Sequence, residues 1–174
     1  MKKGGIGGAN TQTGLSYEGE VDFLTFIGKK KNYSVDENVI LYNDKKVGVT
    51  FKKYGLYKYL EENGVDYKNL ISKRLLPDDA VFVIANNTMH IIEIKFQEVA
   101  GSTDEKLQTC DFKIKQYRKL LSRLNVEVKY IYILNDWFKE PGYKDVLDYI
   151  ISIDGCYYYF NYLPLQKIGL PVPK

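Results

Sequence analysis

The sequence predicts an α/β fold, a mixed central β-sheet with flanking helices, in one domain spanning 1–174. Three observations predict it. Short runs rich in β-branched and aromatic residues within 38–50, 76–84, 89–97, 126–134 and 156–162 read as strands, with amphipathic stretches of helical period between them. The resulting order of helix, hairpin, long helix, strand, helix and strand lays helices on the faces of one sheet. The 174 residues, 45% of them hydrophobic, suffice for a full core, and no repeat, linker or low-complexity segment divides them.

The elements follow in order. Gly4-Gly5-Ile6-Gly7-Gly8 follows no strand and lacks a full phosphate-loop pattern, so it reads as a flexible lead-in. A helix is expected from Leu15 to about Gly28, with Leu15, Glu18, Val21, Asp22 and Thr25 brought together by helical spacing. Two short strands are expected within 38–50, around Asn43-Asp44-Lys45, and then a helix over 51–63 closed by Gly64. Residues 69–75 read as a brief helix or turn, because Pro77 disfavours helical geometry in the residue before it. The runs 76–84 and 89–97 flank Ala85-Asn86-Asn87-Thr88 as a β-hairpin, since Asn tolerates the positive φ of tight turns.

The strongest helical pattern comes next and runs to about Leu124. Ser102 and Glu105 form a capping box, and Leu107, Cys110, Ile114, Tyr117, Leu121 and Leu124 recur three and four apart. A strand over 126–134, a loop through Asn135–Tyr143, a helix over 143–153 and a strand over 156–162 complete the order. The Pro-punctuated tail from Leu163 is expected to pack as an irregular cover.

Composition narrows the function classes. A net charge of +3, from 25 basic and 22 acidic residues, suits a local basic face better than a strongly basic whole. Cys110 and Cys156 lack C-x-x-C spacing, so neither a zinc site nor a disulfide framework is indicated. The sixteen Tyr read first as strand and core material, although aromatic rings also stack on bases. Gly and polar residues follow Lys2-Lys3, and no apolar run approaches a membrane span, so a cytoplasmic protein without membrane contact is expected.

The second strand of the hairpin carries the chemistry. Side chains alternate along a strand, so Glu93, Lys95 and Gln97 share one face while His90, Ile92, Ile94 and Phe96 take the other. Asp78 or Asp79, at the start of the first strand, would bring a second carboxylate within a few ångströms of Glu93. Two such acids suit Mg²⁺, which prefers oxygen donors, and a Lys on their face can position water or stabilise charge. That set answers what phosphodiester hydrolysis needs. His90 is the single His, so mechanisms using two histidines of one chain are excluded. Tyr54-Gly55-Leu56-Tyr57 falls on an expected helix, unlike the strand-borne tyrosines of nicking nucleases, and no Walker-type or Gly-x-Ser-x-Gly loop is present.

Pro77-Asp78, fourteen residues and then Glu93-Ile94-Lys95 resemble the PD-(D/E)XK nuclease superfamily. The longer string through Phe96-Gln97 and Gly101-Ser102-Thr103-Asp104-Glu105-Lys106 resembles type II restriction endonucleases of that superfamily, most clearly over 74–120. The resemblance implies a restriction endonuclease-like core acting on double-stranded DNA as a homodimer with Mg²⁺. It makes Asp78 and Glu93 metal ligands, adds the Ile94 carbonyl, and puts Lys95 on the attacking water. Asp78 is preferred because it follows Pro77, with Asp79 the alternative. Glu18 is the candidate extra acid from the first helix, and Gln97 a candidate on the active face. Ser102 and Lys106, at the helix start beside Gly101, are candidate phosphate contacts. A repair or junction-resolving nuclease, or a DNA-binding module without cleavage, is the alternative function.

Overall fold

The computed structural model describes residues 23–99 and 103–173. Glu18, Ser102 and the expected helix before Phe23 lie outside the described residues. The architecture is α/β, and the described residues form seven strands in one mixed sheet whose spatial order is the chain order. The strands are β1 (Tyr33–Asp36), β2 (Val39–Tyr42), β3 (Lys45–Phe51), β4 (Asp79–Val83), β5 (Thr88–Lys95), β6 (Glu127–Leu134) and β7 (Cys156–Phe160). Pairing is antiparallel from β1 through β5 and parallel from β5 through β7. The carboxyl ends of those three strands and the start of β4 therefore meet at one edge.

Helices α1 (Phe23–Gly28), α2 (Gly55–Glu62), α3 (Thr103–Leu107), α4 (Cys110–Leu121), α5 (Lys144–Ser152) and α6 (Leu165–Ile168) cover the sheet. One face packs Met89, Ile91, Tyr130 and Tyr132 against Leu56 and Leu60 of α2, Ile114 and Tyr117 of α4, and Ile150 of α5. The other packs Val81, Val83, Ile92, Ile94, Ile131 and Ile133 against Phe23 and Ile27 of α1 and Leu165, Ile168 and Leu170 of the tail. Each fully buried Leu or Ile here contributes about 1.5–3 kcal/mol relative to exposure.

Several expectations change. The two strands expected within 38–50 are β2 and β3, turning at Asn43-Asp44, but an unexpected strand, β1, precedes them where Glu37 takes φ +50 and folds the chain back onto β2. Helix α2 begins at Gly55, four residues later than expected, since Phe51 extends β3 and pairs with Ala80. Gly48 allows that pairing: a Cβ there would stand 2.8 Å from the Phe82 carbonyl oxygen. The brief helix before Pro77 is a 3₁₀ turn at Tyr67–Asn69. Strand β4 starts at Asp79 and β5 ends at Lys95, so Gln97 lies past the strand. In the hairpin turn between them, Asn87 takes the expected positive φ, +51.

The long helix is interrupted. α3 and α4 are separated by Gln108-Thr109, where the Thr109 hydroxyl donates to the Lys106 carbonyl at 2.7 Å. A Thr hydroxyl bonded back to a carbonyl in this way competes with regular helix geometry. The tail is not wholly irregular, because Leu165–Ile168 forms a one-turn helix. No helix among the described residues is long and apolar enough to cross a membrane.

Candidate active site

The antiparallel register of β4 and β5 pairs Asp79 with Ile92, which sets Asp78 opposite Glu93. The two adjacent aspartates therefore go to opposite faces. Asp79 is 2% exposed, and its Oδ2 accepts the Phe23 N–H of α1 at 3.3 Å. Asp78 joins Glu93 and Lys95 on the face covered by α2 and α4. Its Oδ2 accepts the Ile94 N–H at 2.8 Å, locking the carboxylate to the next strand.

Three oxygens gather around one positive charge. The Lys95 ammonium donates to Glu93 Oε2 at 2.7 Å and to the Ile94 carbonyl at 3.3 Å, and stands 3.9 Å from Asp78 Oδ2. Charge-assisted contacts of this kind are among the stronger hydrogen bonds. The Glu93 side chain keeps 10% of its exposure and that of Asp78 26%, so the cluster is sunk in the sheet edge but reachable from solvent. Among the described residues no three His, Cys, Asp or Glu side chains converge. Mg²⁺ does not need three: it commonly binds one or two carboxylates and keeps several waters. Asp78, Glu93 and the Ile94 carbonyl form a hard-oxygen set that fits such an ion, at a point where the fold already holds a cation.

A second lysine completes the cluster. Lys113 of α4 places its ammonium 3.6 Å from Glu93 Oε1 and 5.7 Å from the centre of the Tyr130 ring. Burial pushes its pKa below the ordinary lysine value, Glu93 and Asp78 oppose that shift, and Lys95 adds to it. Sequence reasoning missed this residue. Its signal was position: Lys113 lies three residues after Cys110 and four before Tyr117, both on the buried stripe of α4. Beneath it, burial first and Glu93 second raise the phenol pKa values of Tyr117 and Tyr130, so the floor of the site stays uncharged.

The segment leading into Asp78 is pinned. The Tyr57 hydroxyl of α2 accepts the Leu75 N–H and donates to the Leu75 carbonyl, each at 2.8 Å, and the Pro77 carbonyl accepts the Lys53 N–H at 3.2 Å. Tyr57→Phe leaves both Leu75 groups without that partner and is expected to cost about 1–3 kcal/mol, read as a lower urea midpoint.

The other candidates are less close. Gln97 is 6% exposed with neither amide atom hydrogen-bonded, and it makes no hydrogen bond to the cluster. Its backbone is held by Asn135, whose Oδ1 accepts the Gln97 N–H at 3.3 Å and whose Nδ2 donates to the Gln97 carbonyl at 2.7 Å. The exposed Lys106 borders the site through its backbone, its carbonyl accepting the Tyr132 hydroxyl at 3.1 Å. His90 alternates with Ile92 onto the far face, away from Glu93. No protein-family model, curated protein or solved structure matches this chain.

Proposed function

We propose that the protein is a Mg²⁺-dependent endonuclease of the restriction type that hydrolyses phosphodiester bonds in double-stranded DNA. The observation that carries this reading is the convergence of Asp78 Oδ2, Glu93 Oε2 and the Ile94 carbonyl on the Lys95 ammonium, where the start of β4 meets the carboxyl end of β5. Asp78, Glu93 and the Ile94 carbonyl would hold the ion. When bound, Mg²⁺ supplies neutralisation of charge at phosphorus and makes a bound water more acidic.

The chain's own groups do the rest. Hydrolysis joins a water oxygen to phosphorus, breaks one P–O ester bond and leaves a phosphomonoester and a hydroxyl end, with one water proton ending on the leaving oxygen. Lys95 positions that water and supports the negative charge that develops, with Glu93 holding its ammonium in place. Asp78 is kept in register by the Ile94 N–H, so its carboxylate does not swing as substrate arrives. Action as a homodimer would match a palindromic DNA site, because two-fold protein symmetry mirrors two-fold DNA symmetry.

Incubation of supercoiled plasmid with wild-type protein, with and without Mg²⁺, tests this reading. Discrete linear fragments that need Mg²⁺ and vanish in Glu93→Ala are the expected result. Cutting confined to branched or damaged DNA would move the protein to junction resolution or repair. Retention of DNA with no cutting in any divalent ion would leave only a binding module.

A further inference from the structure

Glu93 is held between two lysines, one on each oxygen: Lys95 on Oε2 at 2.7 Å and Lys113 on Oε1 at 3.6 Å. They come from different elements, Lys95 from β5 and Lys113 from α4. With Asp78, the cluster holds two carboxylates and two ammonium groups and is formally neutral. A divalent ion would leave it two charges positive. Attack of hydroxide on a phosphodiester monoanion passes through a doubly negative arrangement at phosphorus, and the two sets of charge then cancel. Without Lys113, the same site would carry a net negative charge at the moment of reaction, on ground only partly reached by water.

We propose that Lys113 is a second active-site cation, which holds Glu93 Oε1 in the metal-free site and binds a non-bridging oxygen of the scissile phosphate when substrate is present. The inference rests on the nuclease reading and adds a residue that the Asp-Glu-x-Lys pattern does not contain. It makes two predictions of opposite sign. Removal of the Lys113 charge strengthens divalent-ion binding in the absence of DNA, because Glu93 loses a competing cation. The same change weakens cleavage, because the phosphate loses its anchor. A residue that merely packs α4 against the sheet would give neither a gain in metal affinity nor rescue by another cation.

The test uses Lys113→Met, Lys113→Gln and Lys113→Arg. Mn²⁺ affinity without DNA is read from free-ion electron paramagnetic resonance, and plasmid cleavage is measured in Mg²⁺. Lys113→Met is expected to bind Mn²⁺ about fivefold or more tightly and to cut about a hundredfold more slowly, with Lys113→Arg within about tenfold of wild type. Lys113→Gln reports the same loss of charge with a polar side chain, should Lys113→Met fold poorly. A wild type that cuts, with neutral variants that cut equally well or bind Mn²⁺ no more tightly, overturns the role of Lys113 alone. A wild type that neither cuts nor binds Mn²⁺ overturns the nuclease reading and this inference with it.

Discussion

Asp78→Asn is expected to abolish Mg²⁺-dependent cleavage, by about a thousandfold, while Asp79→Asn leaves it within about threefold of wild type. The contrast follows from the β4–β5 register, which turns two adjacent aspartates to opposite faces. Asn at 78 keeps an oxygen that can accept the Ile94 N–H, so the strand end stays ordered while the negative charge is lost. Asn at 79 weakens the bond from the Phe23 N–H and is expected to cost about 1 kcal/mol of stability. Cleavage rates and urea midpoints of both variants, measured side by side, separate the two roles. The reversed pattern would put the chemistry on the α1 face and sink the site as described.

Acid is expected to destabilise the protein through His90. This residue is 1% exposed on β5, and burial, with the Lys129 ammonium second, lowers its pKa from 6.5 to about 4. The Ile168 carbonyl, and after it Glu127, oppose the shift. The unfolded chain takes up the proton near pH 6.5, whereas the folded chain resists it down to about pH 4. The stability is therefore fully present above 6.5 and lost as pH falls through that window, amounting to about 3 kcal/mol in all and about 2 kcal/mol between pH 7 and pH 5. His90→Met, neutral and of similar bulk, should flatten the profile in that range. Urea midpoints across pH for both proteins provide the check, and parallel profiles would refute the assignment to His90.

The legible parts of the fold are those where period decides. Strand alternation is enough to put Glu93 and Lys95 on one side and His90 on the other. It could not choose between Asp78 and Asp79, because that depends on the residue at which β4 starts, and a register is a property of two strands rather than one. The break at Gln108-Thr109 was hidden because Leu107, Cys110 and Ile114 keep helical spacing across it. Strand β1 escaped notice since only Tyr33 of its four residues is buried and its turn uses Glu37 at positive φ instead of Gly or Asn. Phe51 read as helical because its pairing partner, Ala80, is remote in sequence. Lys113 lies off the apolar stripe of Cys110, Ile114 and Tyr117, at its border, and only the packing of α4 on the sheet brings it to Glu93.

The loops after the three parallel strands are joined side by side. Asn135, after β6, clasps the Gln97 backbone after β5, while Asn161, after β7, donates to Asp136 Oδ1 at 2.7 Å and to the Leu134 carbonyl at 2.7 Å. The rim next to Glu93 and Lys95 is thus one mechanical unit instead of three independent loops. A load applied at any one of them, such as a bulky polyanion settling on the edge, is transmitted laterally to the other two, and stiffness there is a property shared by the strand ends and owned by none of them.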